Sequence, residues 1–221
     1  MLFNLTPSTL ISYIFVLLTA FAVHEFAHAF TANLFGDDTP RRNGRLTLNP
    51  LAHLDPMGSL MLLFAGFGWA KPVPINPYAL TRRAPSAVMW VSLAGPLSNL
   101  LMAGLMAIPF QLGLVSIQQA GVAMATASEH ILPTLPQLLY IFISTNILLM
   151  LFNLIPIAPL DGEKVLYYLL PPRGQNIMDN IRPYGPIILL VVIFGGTLLG
   201  FNLLGAIITP AMNFLLKLFL G

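Results

Sequence analysis

The sequence predicts an all-α polytopic membrane protein with about five transmembrane helices and one short membrane-associated hairpin. Two observations support this fold class. First, 57% of the 221 residues are hydrophobic and only 8% are charged, whereas a soluble globular domain is about 25% charged. Second, several apolar runs approach or exceed the roughly 18–20 residues that a helix needs to cross a hydrocarbon core. Since mean hydropathy is +0.81, disorder, a coiled coil and a secreted disulfide scaffold are excluded.

Four apolar regions define the predicted membrane helices. We expect three core spans at about 7–35, 86–114 and 135–156, and a C-terminal helical hairpin at about 184–220. A cleaved signal peptide is not expected at the N-terminus, because no basic residue precedes the first run and the run contains His and Glu. No repeat or separate soluble segment divides the chain, so we interpret residues 1–221 as a single membrane-embedded domain.

The apolar run 57–69 is too short to span a membrane. If it does not cross, five spans place all ten Lys and Arg residues on one side, which the positive-inside rule identifies as cytoplasmic. We therefore expect a re-entrant hairpin in a prokaryotic cytoplasmic membrane, with the N-terminus outside and the C-terminus inside. The alternation in residues 45–48 and the prolines in 71–75 predict short β-strands on either side of the hairpin.

Two histidines and a glutamate stand close together in the first span. His24, Glu25 and His28 form the pattern His-Glu-x-x-His, in which both histidines share one helix face. Zinc suits two imidazoles and an oxygen ligand, with a fourth position for water. Glu25 lies next to that position and can act as general base toward metal-bound water. The alternative is a polar cluster satisfied inside a helix bundle, but ionisable groups are costly within a membrane and usually functional.

A third metal ligand has to come from another helix. Asp161 is the best candidate, because Pro156 and Pro159 break the helix before it and His28 is also expected near the cytoplasmic side. Taken alone, Asp161 before Gly162 is more typical of a simple turn. The chain has no cysteine, so thiolate ligands and disulfides are excluded.

Together the two motifs resemble those of the site-2 proteases, which are intramembrane zinc metalloproteases. That family carries His-Glu-x-x-His on one core helix and Asn-x-x-Pro-x-x-x-Leu-Asp-Gly on another, and residues 153–162 match the second motif at every fixed position. Other stretches are similar to the compact prokaryotic branch; they are 44–50, 53–56, 68–74 and 94–99. We expect neither the PDZ insertion nor the CBS module of other branches.

The resemblance implies an intramembrane endopeptidase with one zinc ion per chain. It implies that His24, His28 and Asp161 bind the zinc. It also implies that Glu25 is the general base and that Asn153 helps to hold the substrate carbonyl or its developing oxyanion. The implied partners are the lipid bilayer and transmembrane substrates, such as an anti-sigma factor or signal-peptide remnants.

Two functions of other classes compete with this interpretation. A divalent-cation transporter predicts further ligands along a path, and the outer halves of the spans contain almost none. A catalytically inactive membrane scaffold is disfavoured by the intact motif residues. Nucleic-acid binding lacks an electrostatic basis, because the net charge is +2 and no tract of five basic residues occurs.

Three further polar residues carry two interpretations each. Asn99 follows a Gly-Pro pair and either orients the site or makes an interhelical hydrogen bond. His53 and Asp55 form His-x-Asp, for which a hydrogen-bonded loop is favoured over a second metal site. In addition, we hypothesise that an edge strand near 46–48 or 73–75 captures an unwound substrate by strand addition.

Overall fold

A computed structural model describes residues 5–66, 68–199 and 203–221, and in these ranges it is all-α. The helices are α1 (Pro7–Leu34), α2 (Thr39–Arg42), α3 (Pro56–Ala65), α4 (Pro77–Arg83), α5 (Ala87–Gln111), α6 (Ile117–Ala125), α7 (Leu135–Asn153), α8 (Asp161–Leu169), α9 (Pro172–Ile181), α10 (Gly185–Leu199) and α11 (Leu203–Leu220). Single 3-10 turns lie at Pro50–Ala52, Ala127–Glu129 and Arg182–Tyr184.

Four helical stretches are long and apolar enough to cross a membrane. They are α1, α5, α7 and the run Pro172–Gly195, which combines α9 with most of α10. An apolar helix of shorter length, Leu204–Leu220, follows as the main part of α11. The multi-pass character predicted from the sequence is therefore confirmed with four candidate spans, and the fifth predicted crossing depends on α11. The turn of the predicted C-terminal hairpin, at 200–202, lies outside the described residues.

Helix α3 occupies the predicted membrane-associated hairpin. Its 10 residues make it about 15 Å long, which is half the thickness of a hydrocarbon core of about 30 Å. Asp55 caps its start by accepting a hydrogen bond from the N–H of Gly58 at 2.7 Å. Gly66 ends it with φ of 73°, a left-handed conformation that favours glycine. A helix of this length agrees with a hairpin that does not cross.

The strands predicted at 45–48 and 71–75 are absent from the described structure. In the described residues, the sheet-like pairing consists of one isolated antiparallel bridge, which joins Leu54 and Ala70. The prediction failed because the two prolines of the second segment have no N–H to donate to a ladder. Both segments instead form irregular backbone next to α3.

Side chains rather than a sheet hold this irregular backbone together. Arg45 is buried, and its guanidinium donates to the carbonyl of Ala52 at 2.5 Å and to that of Lys71 at 3.5 Å. His53 donates from Nε2 to the carbonyl of Thr47 at 2.8 Å. These bonds satisfy carbonyl groups that a β-ladder would otherwise have paired.

Helices α1, α5 and α7 pack against one another at the centre of the molecule. Small residues are buried on these helices, among them Ala29, Ala103 and Ala107, which are fully buried; Ala103 and Ala107 of α5 belong to one apolar cluster with Ile143 and Ile147 of α7. Small side chains let helix backbones approach closely, which is how helices associate where lipid provides no hydrophobic driving force. Leu101 and Leu105, on another face of α5, are 64% and 51% exposed, as expected for a surface that meets lipid.

Candidate metal centre

Helix α1 brings His24 and His28 together as the sequence predicts. Both are buried, and their Nε2 atoms are 3.0 Å apart. Asp161, the first residue of α8, reaches the same point from the other side. Its Oδ2 atom lies 3.2 Å from Nε2 of His24 and 3.1 Å from Nε2 of His28. Within the described part of the chain, these three residues are the one group of at least three His, Cys, Asp or Glu able to share a metal ion.

The size of this triangle suits a zinc ion. Ligand atoms at the usual zinc distances of about 2.0–2.1 Å, in tetrahedral directions, lie about 3.3 Å from one another. The three measured separations are 3.0, 3.1 and 3.2 Å. Nitrogen and oxygen donors without thiolates are also a set that zinc accepts.

The donor atoms are arranged so that they can receive a cation. Nδ1 of His28 is 2.6 Å from the carbonyl oxygen of Val91, which can only accept, so Nδ1 carries the hydrogen. Nδ1 of His24 is 2.6 Å from Oδ1 of Asn99, an acceptor as well. Both Nε2 atoms of the neutral rings therefore present lone pairs to each other and to a carboxylate oxygen of Asp161. Such an arrangement is repulsive unless a proton on one of the rings or a metal ion lies between these atoms, and the three residues fit a metal site.

Helix α5 supports the site from a third direction. Gly95 lies directly against the two imidazoles, and a Cβ atom there would be 2.6 Å from Nε2 of His24 and closer still to Nε2 of His28. Asn99 presents its Oδ1 to Nδ1 of His24 at 2.6 Å, a contact that fits the first of its two expected roles, orientation of the site. The Asn99 amide nitrogen donates to Oδ1 of Asn146 on α7 at 2.8 Å, which is the interhelical hydrogen bond expected as its second role.

Asn146 is the site residue that the sequence reasoning missed. It is fully buried in α7 and lies seven residues, about two helical turns, before Asn153. An amide in the middle of an apolar span is unusual and by default functional, so the signal was present in the sequence.

The three residues that follow Asp161 on α8 each make a contact that helps to hold it in place. A Cβ at Gly162 would lie 2.7 Å from the carbonyl oxygen of Ile155, so only glycine lets α8 approach the end of α7 this closely. Glu163 is buried and accepts from the guanidinium of Arg182 at 2.7 and 2.8 Å. Lys164 places its Nζ 3.6 Å from Oδ1 of Asp161, the oxygen that does not face the histidines.

A cavity of about 600 Å³ opens beside the three ligands. Its walls come from α1, the segment after α3, the end of α7 and the start of α10. The apolar side chains among them include Phe21, Trp69, Val73, Phe152 and Leu189. The cavity therefore combines a polar centre with apolar walls, the usual composition of a binding pocket.

The other two predicted catalytic residues also line this cavity. Glu25 is 9% exposed and follows His24 on α1. Asn153 is the last residue of α7, and its Nδ2 donates to the carbonyl of Leu149 at 2.9 Å. Since an amide nitrogen has two hydrogens, one remains to donate into the cavity. The structure thus brings all five predicted site residues to one place, while the roles of Glu25 and Asn153 stay predictions.

His53 and Asp55 do not join a metal site in the described structure. Nε2 of His53 donates to Thr47, and Nδ1 is buried without a hydrogen-bond partner. The Asp55 carboxylate caps α3. The hydrogen-bonded loop that the sequence favoured is the arrangement observed.

Comparison with known proteins adds independent information on this chain. The model of Peptidase family M50 matches residues 12–195. YwhC of Bacillus subtilis (strain 168), named provisionally as a zinc metalloprotease, is 41% identical over 214 residues, which cover 96% of this chain and 93% of the relative. Rip2 of Mycolicibacterium smegmatis, named in the same way, is 31% identical over 89% of this chain and 66% of its own length. Rip2 of Mycobacterium tuberculosis (strain H37Rv) is 32% identical over 83% of this chain and 66% of its own length. No solved structure matches the chain.

Proposed function

Because the chain belongs to peptidase family M50, the site-2 protease family, we propose that it is an intramembrane zinc endopeptidase that cleaves membrane-spanning substrates. The observation that carries this proposal is the buried triangle of His24, His28 and Asp161 at the edge of an apolar cavity. Helices of membrane-spanning length surround it.

The residues around the cavity supply the parts of a peptide hydrolysis. When bound, zinc lowers the pKa of a coordinated water to about 7 and polarises a carbonyl. We propose that the Glu25 carboxylate, which lines the cavity, takes the proton of the attacking water and delivers it to the leaving amine nitrogen. We propose that the second N–H of the Asn153 amide, which also lines the cavity, donates to the carbonyl oxygen as negative charge develops there.

A transmembrane substrate has to unwind before this chemistry can begin, because its carbonyls are hydrogen-bonded within a helix. Irregular backbone next to the cavity can bind the unwound stretch. Of the two segments proposed for this role, Val73 and Ile75 line the cavity and residues 46–48 do not. We therefore propose that 73–75 receives the substrate by strand addition.

The substrate classes that we propose are membrane-anchored regulators, such as anti-sigma factors, and signal-peptide remnants. A transporter would need additional ligand groups along a path through the spans. Among the described residues, the metal-binding group at His24, His28 and Asp161 stands alone, which supports a single reaction centre instead.

Zinc content of the detergent-purified full-length chain is the first test. We expect about one zinc per wild-type chain, a similar content in Glu25→Gln, and a clearly lower content in Asp161→Ala. The reason is that we propose Asp161 as a metal ligand and Glu25 as a general base that does not bind the metal. Cleavage of a transmembrane substrate should fall about 10²–10⁴-fold in Glu25→Gln, the usual contribution of a general base.

The Glu25→Gln chain that keeps its zinc then serves as a trap for natural substrates, with Asp161→Ala as the matched control that lacks the metal. A folded wild-type chain without zinc or another metal contradicts the hydrolytic proposal and favours the membrane scaffold.

A further inference from the structure

A chain of two buried amides connects His24 to the backbone of α7. Nδ1 of His24 lies 2.6 Å from Oδ1 of Asn99. Nδ2 of Asn99 donates to Oδ1 of Asn146 at 2.8 Å, and Nδ2 of Asn146 donates to the carbonyl oxygen of Phe142 at 2.9 Å. Asn99 and Asn146 are both fully buried. This relay joins α1, α5 and α7 in one line.

The far end of the relay decides its direction. A backbone carbonyl can only accept, so Asn146 has to turn Nδ2 toward Phe142 and Oδ1 toward Asn99. Asn99 must then give Nδ2 to Asn146, and only its Oδ1 is left for His24. His24 therefore carries its hydrogen on Nδ1, and the lone pair of Nε2 points at Asp161 and His28.

We infer that Asn146 is a positioning residue, which acts through Asn99 to hold His24 in the tautomer that binds a metal. The inference rests on the proposed zinc site. Without Asn146, the Asn99 amide can rotate by half a turn and present Nδ2 to the ring. His24 would then place its hydrogen on Nε2, the atom that has to bind the metal.

His28 needs no such relay. Its Nδ1 meets the carbonyl oxygen of Val91, a backbone group that cannot exchange donor for acceptor. The two histidines of the motif are therefore oriented by different means, one by backbone and one by side chains that a substitution can change.

The experiment compares zinc affinity, by competition with a chelator, in four full-length proteins purified in detergent. They are the wild type, Asn146→Leu, Asn99→Asp and the double variant. We expect Asn146→Leu to weaken zinc binding about 10- to 100-fold, the usual effect of losing an outer partner of a ligand. A carboxylate at position 99 accepts from His24 in either orientation, so it holds the His24 tautomer without help from Asn146. In Asn99→Asp alone its second oxygen faces Oδ1 of Asn146, and we expect this repulsion between two acceptors to lower zinc affinity.

The double variant separates positioning from packing. If Asn146 acts through the orientation of Asn99, adding Asn99→Asp to Asn146→Leu restores zinc affinity to within about threefold of the wild type, because the leucine removes the facing acceptor oxygen and the carboxylate holds His24 by itself. The visible absorption of the cobalt-loaded proteins should follow the same order, because it reports the ligand geometry. Ser144→Ala is the control, since the Ser144 hydroxyl bonds only to carbonyls of its own helix.

Three results overturn the inference. One is normal zinc affinity in Asn146→Leu. Another is a double variant that binds zinc as weakly as Asn146→Leu, because the role of Asn146 is then packing. The same conclusion follows if Asn146→Leu and the double variant both fail to fold. The third, a wild-type chain that binds no zinc, removes the proposed function together with the relay, whereas the first two leave the proposed function intact.

Discussion

Gly95 shows how a single missing side chain makes room for the metal centre. The two imidazoles of α1 occupy the space where a Cβ of this residue would lie. The neighbouring atoms are rings held by their own hydrogen bonds to Asn99 and Val91, so they cannot move aside cheaply. Glycine is therefore required at this position for a steric reason rather than for backbone freedom.

We expect Gly95→Ala to lower zinc affinity about tenfold or more, because the new methyl group must displace a ligand ring. Gly104→Ala is the matched control on the same helix, since a Cβ there meets only Cζ of Phe219 at 3.9 Å. Chelator competition and thermal unfolding of both variants check this. Equal zinc affinity in the two variants would show that the rings tolerate the methyl group.

Among the structural elements, the segment 72–75 has the clearest functional geometry. Its prolines hold it extended and leave N–H groups only on Val73 and Ile75. In the described structure neither N–H group has a hydrogen-bond acceptor, and both residues line the cavity. In strand-like backbone, alternate N–H groups point to the same side. A substrate strand can therefore pair with the edge that carries the N–H groups of Val73 and Ile75. The opposite edge has no N–H donors, because prolines occupy positions 72 and 74.

Replacing Val73 by proline tests this edge. We expect cleavage of transmembrane substrates to fall about five- to tenfold, the effect of one net hydrogen bond of about 1 kcal/mol or slightly more, with zinc content unchanged. Val73→Ala keeps the N–H group and should cleave nearly normally, as should Leu48→Pro in the segment outside the cavity. If Val73→Pro and Val73→Ala lose the same activity, the side chain rather than the backbone binds the substrate.

The whole molecule carries its basic residues in a pattern that predicts its orientation. Arg41 precedes α3 and Arg83 follows it at the end of α4. Both are placed in the cytoplasm if the short α3 turns back within the membrane. Glu129, between α6 and α7, is then expected outside. Since α3 spans about half of a bilayer by length, this orientation is the one that we propose.

Cysteine labelling in intact cells tests the orientation directly, because the natural chain has no cysteine. We expect a membrane-impermeant maleimide to label Glu129→Cys in intact cells, and Arg41→Cys and Arg83→Cys only after lysis. The unmodified chain is the control for background. Labelling of Arg41→Cys and Arg83→Cys from opposite sides would mean that α3 crosses the membrane.

The sequence by itself determined the membrane class, three core spans and the paired histidines. Hydropathy adds residue by residue along a span, and the spacing of His24 and His28 places them one helical turn apart whatever surrounds them. These properties are local. The short helices α2 and α6 were not predicted, because they carry little hydropathy signal and depend on their surroundings.

Only the tertiary structure decided which distant groups meet. Asn146 bonds to Asn99 across 47 residues. Asp161 reaches His24 where Gly95 lets α5 approach the histidines of α1 and Gly162 lets α8 approach the backbone after α7. The irregular backbone next to α3 is held in the same way by bonds from Arg45 and His53. Contacts of this kind depend on how helices pack, and the periodicity of a single segment does not predict which helices will be neighbours. Local periodicity thus placed two ligands, and packing completed the site.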